Sequence, residues 1–355
     1  MKILIIPKGQ NPYQELLYSY LQTEHPSDTF SYLKSSRFTF FFFPLLFLIY
    51  RLRGYKIIHI HWLVFHISHR MPMAKIFSYY YTIFCLSVTK FLGYKVVWTV
   101  HETTTHDNWT INDIGVSRKL SRIAAAKIAH SVFAVREMEE AQLDISRTYV
   151  IPHGNYIDVY PDSITSAQAR KKLDLKPEEI TVLFFGAIRP YKGVEKLLDV
   201  LEEINDRRIR VIIAGRCRDD TVANKIYQLQ KKIKIDFYED HIEDADVATY
   251  FKACDVVCLP FKKITTSGSA ILALSFGKPV ITTRTGALRD FPENVGYFYN
   301  PENPKGLKES LSLAIRKKSE LKVRGVNAKK YADTLSWDKI AKKTYIVYEN
   351  VLNEG

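Results

Sequence analysis

A chain of 355 residues is longer than the about 100–200 of a usual single domain and points to two. Its 46% hydrophobic and 25% charged residues exclude a disordered chain, and four cysteines with no CxxC pair and no histidines at zinc spacing read as free thiols of a reducing cytoplasm. The net charge of +13 says less by its size than by its placement.

In chain order, "MKILIIPKGQ" reads as a first strand, since its apolar run is too short for a signal peptide. From Thr29 to His101 there is no Asp or Glu. That stretch carries nine Lys and Arg, namely Lys34, Arg37, Arg51, Arg53, Lys56, Arg70, Lys75, Lys90 and Lys95, interleaved with Phe, Tyr and Trp. Such a surface suits anionic lipid headgroups, and the absence of zinc-finger spacing or an RNP-like aromatic motif speaks against nucleic acid. Within it "FTFFFFPLLFLIY" contains Pro44 and falls well short of the roughly 20 residues a transmembrane helix needs. Two readings stand: a helix dipping into the membrane surface, or a buried helix of the first domain.

Continuous apolar runs then alternate with helical stretches: "KIIHIHWL", "KVVWTVH", "SVFAV", "TYVIP", "ITVLFFGAI", "RVIIAG", "IDFYE", "DVVCLP" and "KPVITT". Runs of four to eight apolar residues without alternation are what a parallel sheet covered on both faces requires. The fold class is therefore α/β, two Rossmann-like doubly wound domains facing a central cleft. The seam is expected in the Pro- and Gly-containing stretch near 155–175, with an N-terminal domain over 1–160, a C-terminal domain over 165–335, and a final helix over about 336–355 packing back on the first.

In open α/β sheets ligands bind beyond the carboxyl ends of the strands, and the motifs fall there. After "VLFFGAI" come Arg189 and Lys192, a planar fork and a mobile point charge suited to a diphosphate. After "DVVCLPF" come Thr265, Thr266, Ser267, Gly268 and Ser269, at the start of an apolar helix whose free N–H groups form a ready anion site. Capping explains one of those hydroxyls, not four. No GxGxxG follows the first strand and no GxxxxGK[ST] occurs. In the first half, "VVWTVHETTTHDNW" places His101, Glu102, His106 and Asp107 after a strand, a set better suited to a general base or to sugar hydroxyls than to zinc. His59 and His61 alternate along a strand and read as structural.

The order of these segments resembles that of GT-B glycosyltransferases, specifically the bacterial group related to family 4. "VVWTVHETTTHD", "VIPHGNYIDVY", "FFGAIRPYKGVEKLL", "YFKACDVVCLPF", "FGKPVITTRTGALRD" and "SWDKIAKKTYIVYE" carry the likeness, which covers nearly the whole chain. The resemblance implies a nucleoside-diphosphate sugar in the second domain, with Arg189, Lys192 and Thr265 to Ser269 on its diphosphate, and base recognition around Tyr238, His241 and Ile242. It implies an acceptor in the first domain, near Gly9 and His106, with His101, Glu102 or Asp107 as catalytic base if the reaction inverts. No metal and no cofactor beyond the donor are expected. The group's Glu-x7-Glu pair is missing, with Ile264 and Leu272 where its carboxylates would stand. The expected function is transfer of a sugar to a glycan or lipid-linked acceptor, by a cytoplasmic protein on the inner face of the membrane. The alternatives are an epimerase or phosphorylase of the same fold, or a non-catalytic partner of another enzyme.

Overall fold

The structure, a computed structural model, describes residues 1–9, 12–34, 36–62, 72–103 and 110–354, with Arg37 and Phe38 described for their backbone alone. The chain divides into two compact units, Met1–Gly154 with Trp337–Gly355, and Asn155–Ser336. Each contains a six-stranded, wholly parallel sheet among the described residues.

The first unit has β1 (Lys2–Ile6), β2 (Thr29–Tyr32), β3 (Ile57–Ile60), β4 (Lys95–Val100), β5 (Ala126–Ala129) and β6 (Thr148–Val150), in the order β2-β1-β3-β4-β5-β6. The second has β7 (Ile180–Phe185), β8 (Ile209–Ala214), β9 (Ile235–Tyr238), β10 (Val256–Leu259), β11 (Val280–Thr283) and β12 (Gly296–Tyr299), in the order β12-β11-β10-β7-β8-β9. Helices cover both faces, so the inner strands are buried on each side. Ile180, Val182 and Phe184 of β7 pack into one core with the helix Val194–Ile204. Each such fully buried side chain stabilises the unit by about 1.5–3 kcal/mol. The strand order reverses between β1 and β3 and between β7 and β10, and those two points are where doubly wound sheets open to ligands.

The closing helix, Trp337–Asn353, lies in the first unit, where Trp337, Ile340, Val347 and Tyr348 share a core with Ile3, Ile5, Tyr13 and Leu17. In the second unit the seam region holds the short helix Ser166–Lys172, started by a reciprocal capping box between Thr165 and Gln168.

One strand is displaced from its expected place. "SVFAV" opens the helix Val132–Glu140, because the Ser131 hydroxyl accepts from the Ala134 N–H and caps it. The strand is the preceding "AKIA", whose buried Lys127 interrupts the apolar pattern. Its ammonium donates to the Ser121 carbonyl and lies 3.6 Å from an Asp144 oxygen.

The aromatic run from Phe40 divides by face. Phe40, Phe43 and Phe47 are core, while Phe41, Phe42, Leu45, Leu48 and Leu52 are exposed, Leu52 by 79%. The helix Pro72–Phe91 packs beside them and exposes Met73, Phe77, Tyr80, Phe84 and Phe91, the last by 89%. These exposed side chains recur at about helical spacing, so they form a second stripe on one face. Among the described residues no helix is long and apolar enough to cross a membrane.

Candidate functional site

In the second unit the reversal of strand order sets the loop after β7 beside the loop after β10. A bond from the Lys262 N–H to the Tyr191 carbonyl, 2.8 Å, ties the two together. Gly186 ends β7 with φ +100, where a Cβ would stand 2.8 Å from Lys192 Nζ. The chain then runs through exposed Arg189 to Gly193, whose φ is +71 and whose Cβ would come within 2.1 Å of the Pro260 carbonyl oxygen. Both positions favour glycine by conformation, and Gly193 by space as well, since a backbone carbonyl cannot give way.

This backbone aims Lys192 inward. The residue is 7% exposed, and its ammonium lies 3.4 Å from Ser269 Oγ, at the outer limit of a hydrogen bond. Burial, then the charge of Arg189, pushes its pKa down to about 8. Among the described residues no carboxylate pairs with it. An ammonium buried at such cost, with one long contact, is suited to meeting an anion.

The facing helix, Gly268–Ser275, supplies the rest. Ser267 spends its hydroxyl as the N-cap, accepting from the Ala270 N–H at 3.1 Å. Thr265 is buried, and its carbonyl receives the Ala287 N–H at 2.8 Å. The Thr266 hydroxyl is buried and has no hydrogen-bond partner, a costly state for a polar group. Lys192 and Ser269 thus meet at the first turn of the helix, with Thr266 just ahead of its N-cap residue. Ile264 and Leu272 are 7% and 6% exposed, both in the apolar core, and neither position offers a carboxylate.

Tyr238 ends β9 on the same side of the sheet, its ring edge-on to Tyr250 at 5.1 Å and its carbonyl accepting from the Gly215 N–H at 2.9 Å. His241 is exposed and Ile242 half-buried in the loop that follows.

In the first unit His101 and Glu102 follow β4, both half-buried, whereas His106 and Asp107 lie outside the described residues. Gly9 follows β1, where a Cβ would meet the Trp62 ring at 2.9 Å. Trp62 in turn stacks on His101, with centroids 4.5 Å apart and planes 12° apart. The sheet also gathers histidines that their sequence positions do not announce as a group: His59 on β3, His61 just after it, His130 after β5 and His153 after β6, all four buried. His101 Nδ1 is 3.2 Å from His130 Nε2, and its Nε2 is 3.5 Å from His61 Nδ1. Burial pushes His59 and His153 down to about 3 and His130 to about 4, and holds His61 and His101 well below the ordinary imidazole value. All five are therefore neutral at pH 7. Among the described residues no cluster of His, Cys, Asp or Glu is arranged to hold a metal ion.

Two doubly wound parallel sheets, each with one reversal of strand order, define a class. The fold is that of the GT-B glycosyltransferases, and residues 165–331, most of the second unit, match the family described as Glycosyl transferases group 1. Over its full length the chain superposes on sucrose-phosphate synthase from Thermosynechococcus elongatus with a TM-score of 0.78 at 17% identity, covering 100% of this chain and 99% of that one. HepE of Anabaena, in complex with UDP-glucose, gives 0.76 at 16% identity, covering 99% and 100%. By sequence the chain is 26% identical over 246 residues to a GDP-mannose:glycolipid 4-beta-D-mannosyltransferase of Xanthomonas campestris pv. campestris, covering 69% of this chain and 66% of that protein. It is likewise 26% identical over 242 residues to a D-inositol 3-phosphate glycosyltransferase of Corynebacterium glutamicum (strain R), covering 62% and 57%.

Proposed function

We propose that the protein transfers a sugar from a nucleoside-diphosphate donor, held by the second unit, to a glycolipid or lipid-linked glycan received by the first. The observation that carries the reading is the buried, unneutralised Lys192 beside Ser269, the unpartnered Thr266 hydroxyl and a helix N-terminus. Arg189 supplies a second cation to the diphosphate, and Tyr238, His241 and Ile242 border the base. The leaving diphosphate is neutralised by these groups, with no metal assigned a role. Relatives named for GDP-mannose and a neighbour holding UDP-glucose support the donor class. A melting-temperature screen against UDP, GDP, ADP and their sugar conjugates tests it: one nucleotide family should raise the transition by mass action. No response to any of them would shift the reading to a non-catalytic partner, which the apolar Ile264 and Leu272 otherwise favour.

The acceptor is met at an anionic membrane surface on the cytoplasmic side. The acid-free, basic stretch from Thr29 to His101 and the paired exposed stripes of Leu45, Leu48 and Leu52 with Phe77, Phe84 and Phe91 support this. Arg51 is bound into the fold, its Nε donating to the Leu92 carbonyl at 2.8 Å, so the test spares it. Leu52→Ser with Phe91→Ser, and separately Arg53→Glu with Lys56→Glu, should each cut sedimentation with phosphatidylglycerol vesicles several-fold and leave the nucleotide-induced melting shift intact. Unchanged sedimentation in both would remove the membrane from the reading.

A further inference from the structure

One carbonyl sets the direction of a hydrogen-bond chain through the first unit. His130 Nδ1 lies 3.0 Å from the Ile151 carbonyl oxygen, which can only accept, so Nδ1 carries the proton. His130 is neutral, and its Nε2 therefore has only a lone pair to offer. His101 Nδ1, 3.2 Å away, must donate to it. His101, neutral as well, is left with its lone pair on Nε2, facing His61 Nδ1 at 3.5 Å. With Nδ1–H directed there, His61 Nε2 accepts from the Tyr18 hydroxyl at 2.8 Å. The Tyr18 and Tyr348 hydroxyls share His59 Nδ1, at 2.8 and 2.6 Å, and Thr99 Oγ1 meets His59 Nε2 at 2.8 Å. The Ile151 carbonyl thus fixes the direction as far as His101 Nε2, whereas beyond His61 the hydroxyls of Tyr18, Tyr348 and Thr99 can each donate or accept.

We propose that His130 is a positioning residue for His101: by accepting from Nδ1–H it keeps the His101 lone pair on Nε2, the atom that receives a hydroxyl of the acceptor substrate. The 3.5 Å contact to His61 is the weakest link of the chain and the one a substrate hydroxyl displaces at least cost. Trp62 stacked on the ring, and Tyr13 edge-on to it at 4.9 Å, fix its plane. The role of the hydroxyl rests on the transferase reading above; the tautomer does not.

The test is imidazole-resolved 15N–1H NMR on the whole protein, beside steady-state kinetics. His101 should show the Nδ1–H pattern in the wild type. His130→Phe, which keeps a ring and removes the acceptor, should shift it toward Nε2–H, and His130→Gln, whose amide oxygen can accept in its place, should restore it. In kinetics His130→Phe should lower kcat/KM for the acceptor roughly 10- to 100-fold with the donor KM unchanged, and His130→Gln should recover most of the loss. An Nε2–H pattern for His101 in the wild type, or identical patterns in the wild type and His130→Phe, would overturn the proposal, and the first needs no variant to fold. An intact Nδ1–H pattern in a wild-type protein that turns over no nucleotide sugar would instead overturn the transferase reading and, with it, the hydroxyl's role.

Discussion

Lys192→Met is expected to raise the melting temperature of the ligand-free protein and to abolish its response to nucleoside-diphosphate sugars. The unfolded chain holds this ammonium near pKa 10.5 and the folded unit at about 8. Below pH 8 both states are protonated and the full cost of burying the charge is present, on the order of 3 kcal/mol. Between about 8 and 10.5 the unfolded state binds the extra proton, so ligand-free stability from this group recovers as pH rises. Methionine fills similar space without the charge and removes that cost at pH 7. The same change leaves a bound diphosphate short of one cation in a dry site, where a charge-assisted contact is worth several kcal/mol. Turnover should fall by about 10²–10³-fold. Donor affinity in the wild type should also weaken as pH rises past 8, because binding then requires uptake of a proton. Scanning calorimetry with and without nucleotide, at pH 7 and 9, reads all of this. A variant destabilised without ligand yet still stabilised by nucleotide would sink the assignment of Lys192 to the diphosphate.

The parts of the proposed donor site are legible in the sequence because they are local. Directly after the strand, a glycine and two cations fall within the seven residues from Gly186 to Lys192, and the hydroxyl-rich run Thr265 to Ser269 at the start of an apolar helix occupies five more. Most inner strands were legible for a similar reason, since burial on both faces leaves an unbroken apolar run. The edge strands β2, "TFSY", and β12, "GYFY", were not, because their mix of polar, glycine and aromatic residues leaves no unbroken aliphatic run. β5 was hidden by Lys127, whose charge is satisfied by Asp144 and a backbone carbonyl that no local pattern announces. The histidine chain is non-local: parallel register brings together His59, His61, His101, His130 and His153 from four strands. A signal was present, though unread. "HIH", "VH", "AH" and "PH" each put a histidine at or just beyond the end of a strand, the side of a parallel sheet where polar groups converge.

That cluster makes the first unit sensitive to acid while the second is spared. An unfolded histidine titrates near 6.5, whereas His59, His130 and His153 remain neutral in the folded unit down to about 3, 4 and 3. Between pH 6.5 and 4 the unfolded chain therefore binds protons that the native unit refuses, and stability falls as pH drops. The slope is about 1.4 kcal/mol per pH unit for each histidine once the unfolded form is fully protonated. By pH 5 each has cost roughly 2 kcal/mol, and three of them about 6, comparable with the 5–15 kcal/mol that holds a domain together. The second unit contains a single histidine, the exposed His241. All four tryptophans, Trp62, Trp98, Trp109 and Trp337, belong to the first unit, so their emission reports that unit alone. On acidification from pH 7 to 4.5 the emission should shift to the red of an exposed indole, while amides of β7, β8 and β10 keep their protection from hydrogen exchange. His153→Asn, which removes one of these buried rings, should move the transition to lower pH and reduce its steepness by about one proton. Tryptophan emission unchanged at pH 4.5 would mean that the histidines' cost does not exceed the unit's stability, and the acid sensitivity assigned to the cluster would fall.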